Sequence, residues 1–228
     1  MARISVDEVQ SRVASITDQD ENTANLSSTD YSLRLKYINM AQKQWAEAND
    51  WRQLFTEYNM LISTSTGNAS IALPTNFKKL AGYPLIVDSN STTHKLPEVR
   101  PEEDNQYVDT DKRMWLFGSP ADGYILRVFG MTLSSGASLK VPYYRSRASL
   151  ASPANIADVP NVDYLIQRTV AFIWESREDG RFPGAKAEAE RILSNMIEYE
   201  NVFSRAATYD RVKTYEETRS NFRWGRDG

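Results

Sequence analysis

His94 is the single histidine of the chain, and it follows the polar stretch 89–93. A working imidazole needs a nucleophile or an orienting carboxylate within hydrogen-bond reach. No neighbouring motif supplies either, so His94 reads as a solvated loop residue. Glu98, Glu102, Glu103, Asp104, Asp109 and Asp111 could furnish the two carboxylates of a glycoside hydrolase, one as acid and one as base or nucleophile, held a fixed distance apart. Spacing along a chain sets no such distance, and runs of this kind are mostly solvated surface. Asp18, Asp20, Glu21 and Asn22 offer oxygens at the intervals a calcium loop uses. The sixth position is Thr23 instead of glycine and the twelfth is Thr29 instead of glutamate, so the segment reads as a polar loop.

Cysteine is absent, which removes disulfides, thiolate metal sites and cysteine nucleophiles from consideration. Neither G-x-x-x-x-G-K-[ST], nor G-x-G-x-x-G after a strand, nor G-x-S-x-G occurs, so no phosphate cradle or nucleophile elbow is expected. The expectation is therefore a protein with no catalytic, cofactor-binding or metal-binding residues, and not an enzyme.

A net charge of −3, from 27 basic and 30 acidic residues, is wrong for a protein that holds nucleic acid by counterion release. It remains compatible with DNA passing nearby, since a basic lining would grip the phosphates. The N-terminal residues run directly into an amphipathic segment, and no run approaches the ~20 apolar residues of a membrane span; neither secretion nor membrane insertion is expected. At 228 residues, with 41% hydrophobic and 25% charged, the chain can bury roughly 70–75% of its unfolded surface without staples.

Four helices and a block of strands must position whatever the chain presents. Ser5 and Glu8 have capping-box spacing, with Val6, Val9, Val13 and Ile16 behind them, giving a helix over about 5–17. Leu33, Tyr37, Ile38, Ala41, Trp45 and Ala48 predict a second over about 30–49. Between about 56 and 147 the period changes to strands. The runs 58–62 and 69–73 read as a hairpin about a turn at 66–68, followed by strands at 83–87 and 114–117 and a pair at 124–129 and 138–144 joined through Gly136. Pro142 places the last run at a sheet edge or makes it restart after the proline. Val162, Leu165, Ile166, Thr169, Val170, Ile173 and Trp174 predict a third helix. A short turn leads to a fourth over about 185–204, so the two should pack as an antiparallel hairpin. Trp45 and Trp174 read as core.

This order implies an α+β fold: an α-helical bundle with an inserted β-rich subdomain and an extended C-terminal arm. The expected divisions are 1–55 and 148–204 for the two halves of the helical part, 56–147 for the insertion and 205–228 for the arm. The arm is net basic on an acidic protein and keeps aromatics, a composition fitted to a segment that orders on a partner. Its candidate contact residues are Tyr209, Arg211, Val212, Lys213, Tyr215, Arg219, Phe222, Arg223 and Trp224.

Several local signatures in this order resemble one family. They are Ile38-Asn-Met-Ala-Gln-Lys-Gln-Trp45 with Asn49-Asp50-Trp51, and Ala72-Leu73-Pro74-Thr-Asn-Phe77. Further on come Trp115-Leu-Phe117 with Pro120-Ala-Asp-Gly123, Leu139-Lys-Val-Pro-Tyr143-Tyr144-Arg145, and Val159-Pro160 ahead of Leu165 and Ala171. The chain resembles the head-to-tail adaptor (connector) proteins of tailed bacteriophages, of the tail tubular protein A type. The resemblance implies a structural virion protein of the neck or tail, assembled in the host cytoplasm. Its subunits would form a homo-oligomeric ring, usually dodecameric, between the portal protein and the tail or nozzle proteins, with DNA passing through the lumen without specific binding. It implies no cofactor and no membrane, and a C-terminal segment that reaches the portal. A tail-completion protein of related architecture, a carboxylate-dependent cell-wall glycan hydrolase and a protein-binding regulator are the alternatives.

Overall fold

The structure is a computed structural model that describes residues 4–18, 27–62, 66–67, 69–88, 90–106, 110–133 and 135–221, with side chains of the last helix described as far as Val202. The chain divides into two compact units, Asp50–Ala148 and the combined segments Met1–Asn49 and Ser149–Gly228. The fold is mixed α+β, with four α-helices and antiparallel sheets among the described residues.

The helical unit is built around one central helix. Helix α1 (Val6–Thr17) starts at Ser5, whose hydroxyl accepts the Glu8 amide at 3.3 Å, the cap that the Ser5/Glu8 spacing predicted. Helix α2 (Ser28–Ala48) is capped by Ser27 in the same way. Helix α3 (Val162–Ser176) begins at Asn161, whose side-chain oxygen accepts the amides of Asp163 and Tyr164. Eight of its fifteen residues are buried, too many for a single stripe, because α3 packs against α1, α2 and the fourth helix alike. Helix α4 (Phe182–Asn221) follows a short turn and packs on α3, as the predicted hairpin requires.

Residues 149–161 complete this unit by hydrogen bonds. Asn39 of α2 donates to the Leu150 carbonyl at 2.8 Å and accepts the Leu150 amide at 3.0 Å. Gln42, fully buried, accepts the Asp158 amide at 3.1 Å. Val6 and Asp7 donate their amides to Asn155 and Pro153. An irregular stretch thereby has its backbone groups satisfied inside the unit, which burial demands.

The β-rich unit has its core between sheets. Strand β1 (Phe55–Leu61) is followed by β2 (Thr66–Gly67), β3 (Ser70–Ala72), β4 (Phe77–Leu80), β5 (Leu85–Val87) and β6 (Thr93–Lys95). Then come β7 (Arg113–Ser119), β8 (Gly123–Phe129), β9 (Thr132–Leu133) and β10 (Ser138–Arg145). One sheet runs β1-β10-β5-β6, with β4 also on β10; a second runs β3-β8-β7; β2 pairs β9. Ile86, Leu96, Met114, Leu126, Leu139 and Val141 are fully buried between them.

Three strand expectations are corrected. The runs 58–62 and 69–73 do not form a hairpin: β1 pairs β10 over all seven of its residues, and β3 pairs β8. Runs 124–129 and 138–144 are likewise not partners, since β8 pairs β7 and β3 while β10 belongs to the other sheet. Local turns were legible, but the chain uses them to cross between sheets. Pro142 lies in the central strand of its sheet, not at an edge. Its carbonyl accepts the Ala81 amide at 3.0 Å, so its missing N–H points the same way, to where β10 changes neighbour from β4 to β5. A ladder gap already exists there, so the proline removes nothing.

Candidate functional site

The fourth helix corrects the expected arm. It does not stop near Ser204 but continues to Asn221, because no proline or glycine interrupts the sequence between Gly184 and Gly225. Tyr209, Arg211, Val212, Lys213, Tyr215 and Arg219 therefore stand on helical backbone; Phe222, Arg223 and Trp224 lie outside the described residues. At ~1.5 Å per residue, α4 is about 60 Å long against about 22 Å for α3. Ala185, Ala189, Ile192 and Glu200 of α4 are buried, whereas Tyr199 and Val202 are 57% and 63% exposed.

A second surface lies on the β7–β8 hairpin. Period-two alternation buries Met114, Leu126 and Val128 and turns Arg113, Trp115, Phe117, Ile125, Arg127 and Phe129 to the other face. The Trp115 ring lies 4.6 Å from Phe129 and 5.5 Å from Phe117. The guanidinium groups of Arg113 and Arg127 sit 5.4 and 5.5 Å from the Phe129 ring, within cation–π range. Arg113 also donates to the Asp111 carbonyl and is buried; Arg127 is exposed. Phe117 and Ile125, opposite one another in register, remain 37% and 45% exposed. The sequence reading missed this shelf. Its signal was the spacing Arg113, Trp115, Phe117 and Ile125, Arg127, Phe129, two alternating triplets of aromatic, aliphatic and arginine residues.

His94 is not a solvated loop residue. It stands on β6, partly buried, with Nε2 3.0 Å from Asp88 Oδ2 and Nδ1 2.9 Å from Lys112 Nζ. An ammonium only donates, so Nδ1 accepts and Nε2 carries the proton given to Asp88. The His94 bond, then the amides of Thr92 and Asn90, hold the Asp88 carboxyl below its ordinary range. Lys112 fills the position a nucleophile would need, and the arrangement latches the β5–β6 turn. Asp18, the first residue of the apparent calcium loop, caps α1 and pairs with Arg34 of α2 and, at 2.8 Å, with Arg177 beyond α3. Of the carboxylates at 98–111, Glu98 bridges Met114 through its backbone, Glu102, Glu103 and Asp104 occupy the 3-10 turn Pro101–Gln106, and Asp109 lies outside the described residues. Among the described residues no cluster of three His, Cys, Asp or Glu could hold a metal ion, and no helix is long and apolar enough to cross a membrane.

Of the five tryptophans, Trp45 and Trp51 are buried. Trp174 is only partly covered, with Arg181 stacked 4.5 Å from its ring. The fold is thus an α+β chain with a long fourth helix and an aromatic, arginine-bearing sheet face. The chain matches the family model described as SU10 adaptor protein over residues 4–214, and it belongs to that family. A comparison with curated proteins finds no match. Membership agrees with the resemblance to phage head-to-tail adaptors drawn from the sequence.

Proposed function

We propose that this chain is the head-to-tail adaptor of a tailed bacteriophage, a structural subunit that forms a ring between the portal protein and the tail or nozzle proteins. The observation that carries the reading is the family match, which spans nearly the whole chain from residue 4 to residue 214. In this reading the ring is homo-oligomeric, usually dodecameric, and sits in the virion neck after assembly in the host cytoplasm. DNA passes through its lumen, and the net charge of −3 favours passage over gripping.

Helix α4 supports a docking role for the C-terminal segment. It is far longer than the helix it packs on, and its exposed Tyr199 and Val202 begin a spacing that Ala206 and Tyr209 continue in the sequence. The basic residues Arg211, Lys213 and Arg219 follow on the same helix. Trp, Tyr and Arg are the side chains that dominate interface energetics. Mixing the purified protein with its portal and imaging by electron microscopy tests the reading: rings docked on portals are expected. Deleting 206–228 is expected to abolish docking while the rest of the fold remains, and unchanged docking would remove this segment from the interface.

A further inference from the structure

Resting on the adaptor reading, we infer that the Trp115–Phe129 shelf of one copy receives the exposed face of strand β1 of a second copy, so that the β-rich unit supplies a head-to-tail contact between subunits. The shelf has unmet capacity. The Arg127 guanidinium has its Phe129 ring contact but no hydrogen bond or ion pair to any described residue, and Phe117 and Ile125 beside it are open to solvent. Arginine on an aromatic ledge is suited to a carboxylate flanked by apolar side chains, because the ring covers one face of the guanidinium and leaves its N–H edge free.

Strand β1 has the complementary pattern. Its odd residues Phe55, Glu57, Asn59 and Leu61 are all exposed, Phe55 at 49% and Leu61 at 68%, while Tyr58 and Met60 pack on the core. Glu57 is thus a carboxylate between two exposed apolar side chains, and it forms no ion pair with a described residue. Lys140, opposite Asn59 in register, shares the face without pairing to it. Among the described residues β1 pairs only with β10, which leaves its other side without a strand partner among them. The two surfaces lie on different sheets of the same unit and differ from each other. A contact between them is therefore heterologous, the kind that closes into a ring when the rotation allows.

The absence of cysteine makes a direct test possible. Leu61→Cys and Phe117→Cys are made in separate proteins, mixed at high concentration and oxidised. The inference expects the mixed disulfide dimer to exceed either homodimer about tenfold; the twofold excess that random collision of equal amounts gives, or no cross-linking, overturns it. Arg127→Glu and Glu57→Arg are each expected to weaken self-association about tenfold, the scale of one close interfacial charge pair, and the double variant to recover it. No recovery overturns the pairing. Native mass spectrometry of the unmodified protein, alone and with portal, separates the two claims. Oligomers without the mixed disulfide sink this surface and leave the adaptor reading standing; no oligomer under either condition sinks both.

Discussion

Asn39 meets Leu150 through two hydrogen bonds, its amide nitrogen giving to the Leu150 carbonyl at 2.8 Å and its oxygen taking the Leu150 amide at 3.0 Å. One side chain thereby serves a residue 111 positions away as a neighbouring strand would. Leu150 is 3% exposed, so Asn39→Ala leaves a buried donor and a buried acceptor unmet. The expected cost is about 2–4 kcal/mol in urea unfolding. Asn39→Asp keeps the acceptor, loses the donor and sets a carboxylate against a carbonyl, and should be no better.

Asp18 should contribute to acid sensitivity. Burial pushes its carboxyl up, but the hydrogen bond from Arg177 and the charges of Arg34 and Arg177 outweigh this and hold it below its ordinary 3.8. Its folded value lies below its unfolded one, so the stabilisation is fully present above the unfolded value and disappears as pH falls through the folded one. Asp18→Asn should cost ~1–3 kcal/mol at pH 7, because the nearly buried Arg34 loses its carboxylate. The gap between variant and wild type should narrow as pH falls below the ordinary carboxylate range, read from denaturant melts across the acid range.

The neutral His94 ring should be the Nε2–H tautomer, because Lys112 donates to Nδ1 and Nε2 faces Asp88. Two-bond nitrogen–proton NMR correlations report this directly. Asp88→Ala combined with Lys112→Ala should release the constraint from both ring nitrogens and give a mixture of tautomers.

Two glycines in one hairpin should differ sharply. Gly118 has φ +109°, and a β-carbon there would run into the Gly123 carbonyl; Gly123 has φ +84° but open space around it. Gly118→Ala is expected to cost about 2–4 kcal/mol, and Gly123→Ala about 1 kcal/mol from backbone strain alone, both measured by chemical denaturation.

Removal of residues 206–228 should shift the melting temperature by less than about 3 °C, since the buried α4 positions described end at Glu200. Circular dichroism should show loss of helix in proportion to the residues removed. A collapse of the melt would mean that this part of α4 supports the fold.

Helix positions and the α1 cap were legible because each depends on residues within a turn of one another: Ser5 with Glu8, and the stripes of α1 to α3. The end of α4 was not, since its apolar spacing loosens after Ser204 while its backbone propensity does not change. Strand positions were legible and strand partners were not. A Gly-bearing turn marks where a chain reverses, but which sheet receives it depends on side chains far away. One such pair is Phe77 and Tyr143, whose rings stack 5.5 Å apart while the Tyr143 hydroxyl donates to Asn76 at 2.9 Å. Both residues stand in the segments that carried the family resemblance. The Trp115 shelf was present in the sequence as alternation, yet only pairing of β7 with β8 brings its two triplets onto one face.

The register of β1 on β10, with Phe55 opposite Tyr144, brings the two ends of the inserted unit together. Tyr164 of α3 must find the Ala41 carbonyl of α2 across 123 residues, and closing so long a loop in an open chain costs conformational entropy. Once β1 and β10 have zipped, the effective loop shrinks to the short stretches on either side, a saving of about 1 kcal/mol. The insertion thus acts on folding order as well as on shape, with the sheet tying the knot that lets the two halves of the helical unit meet.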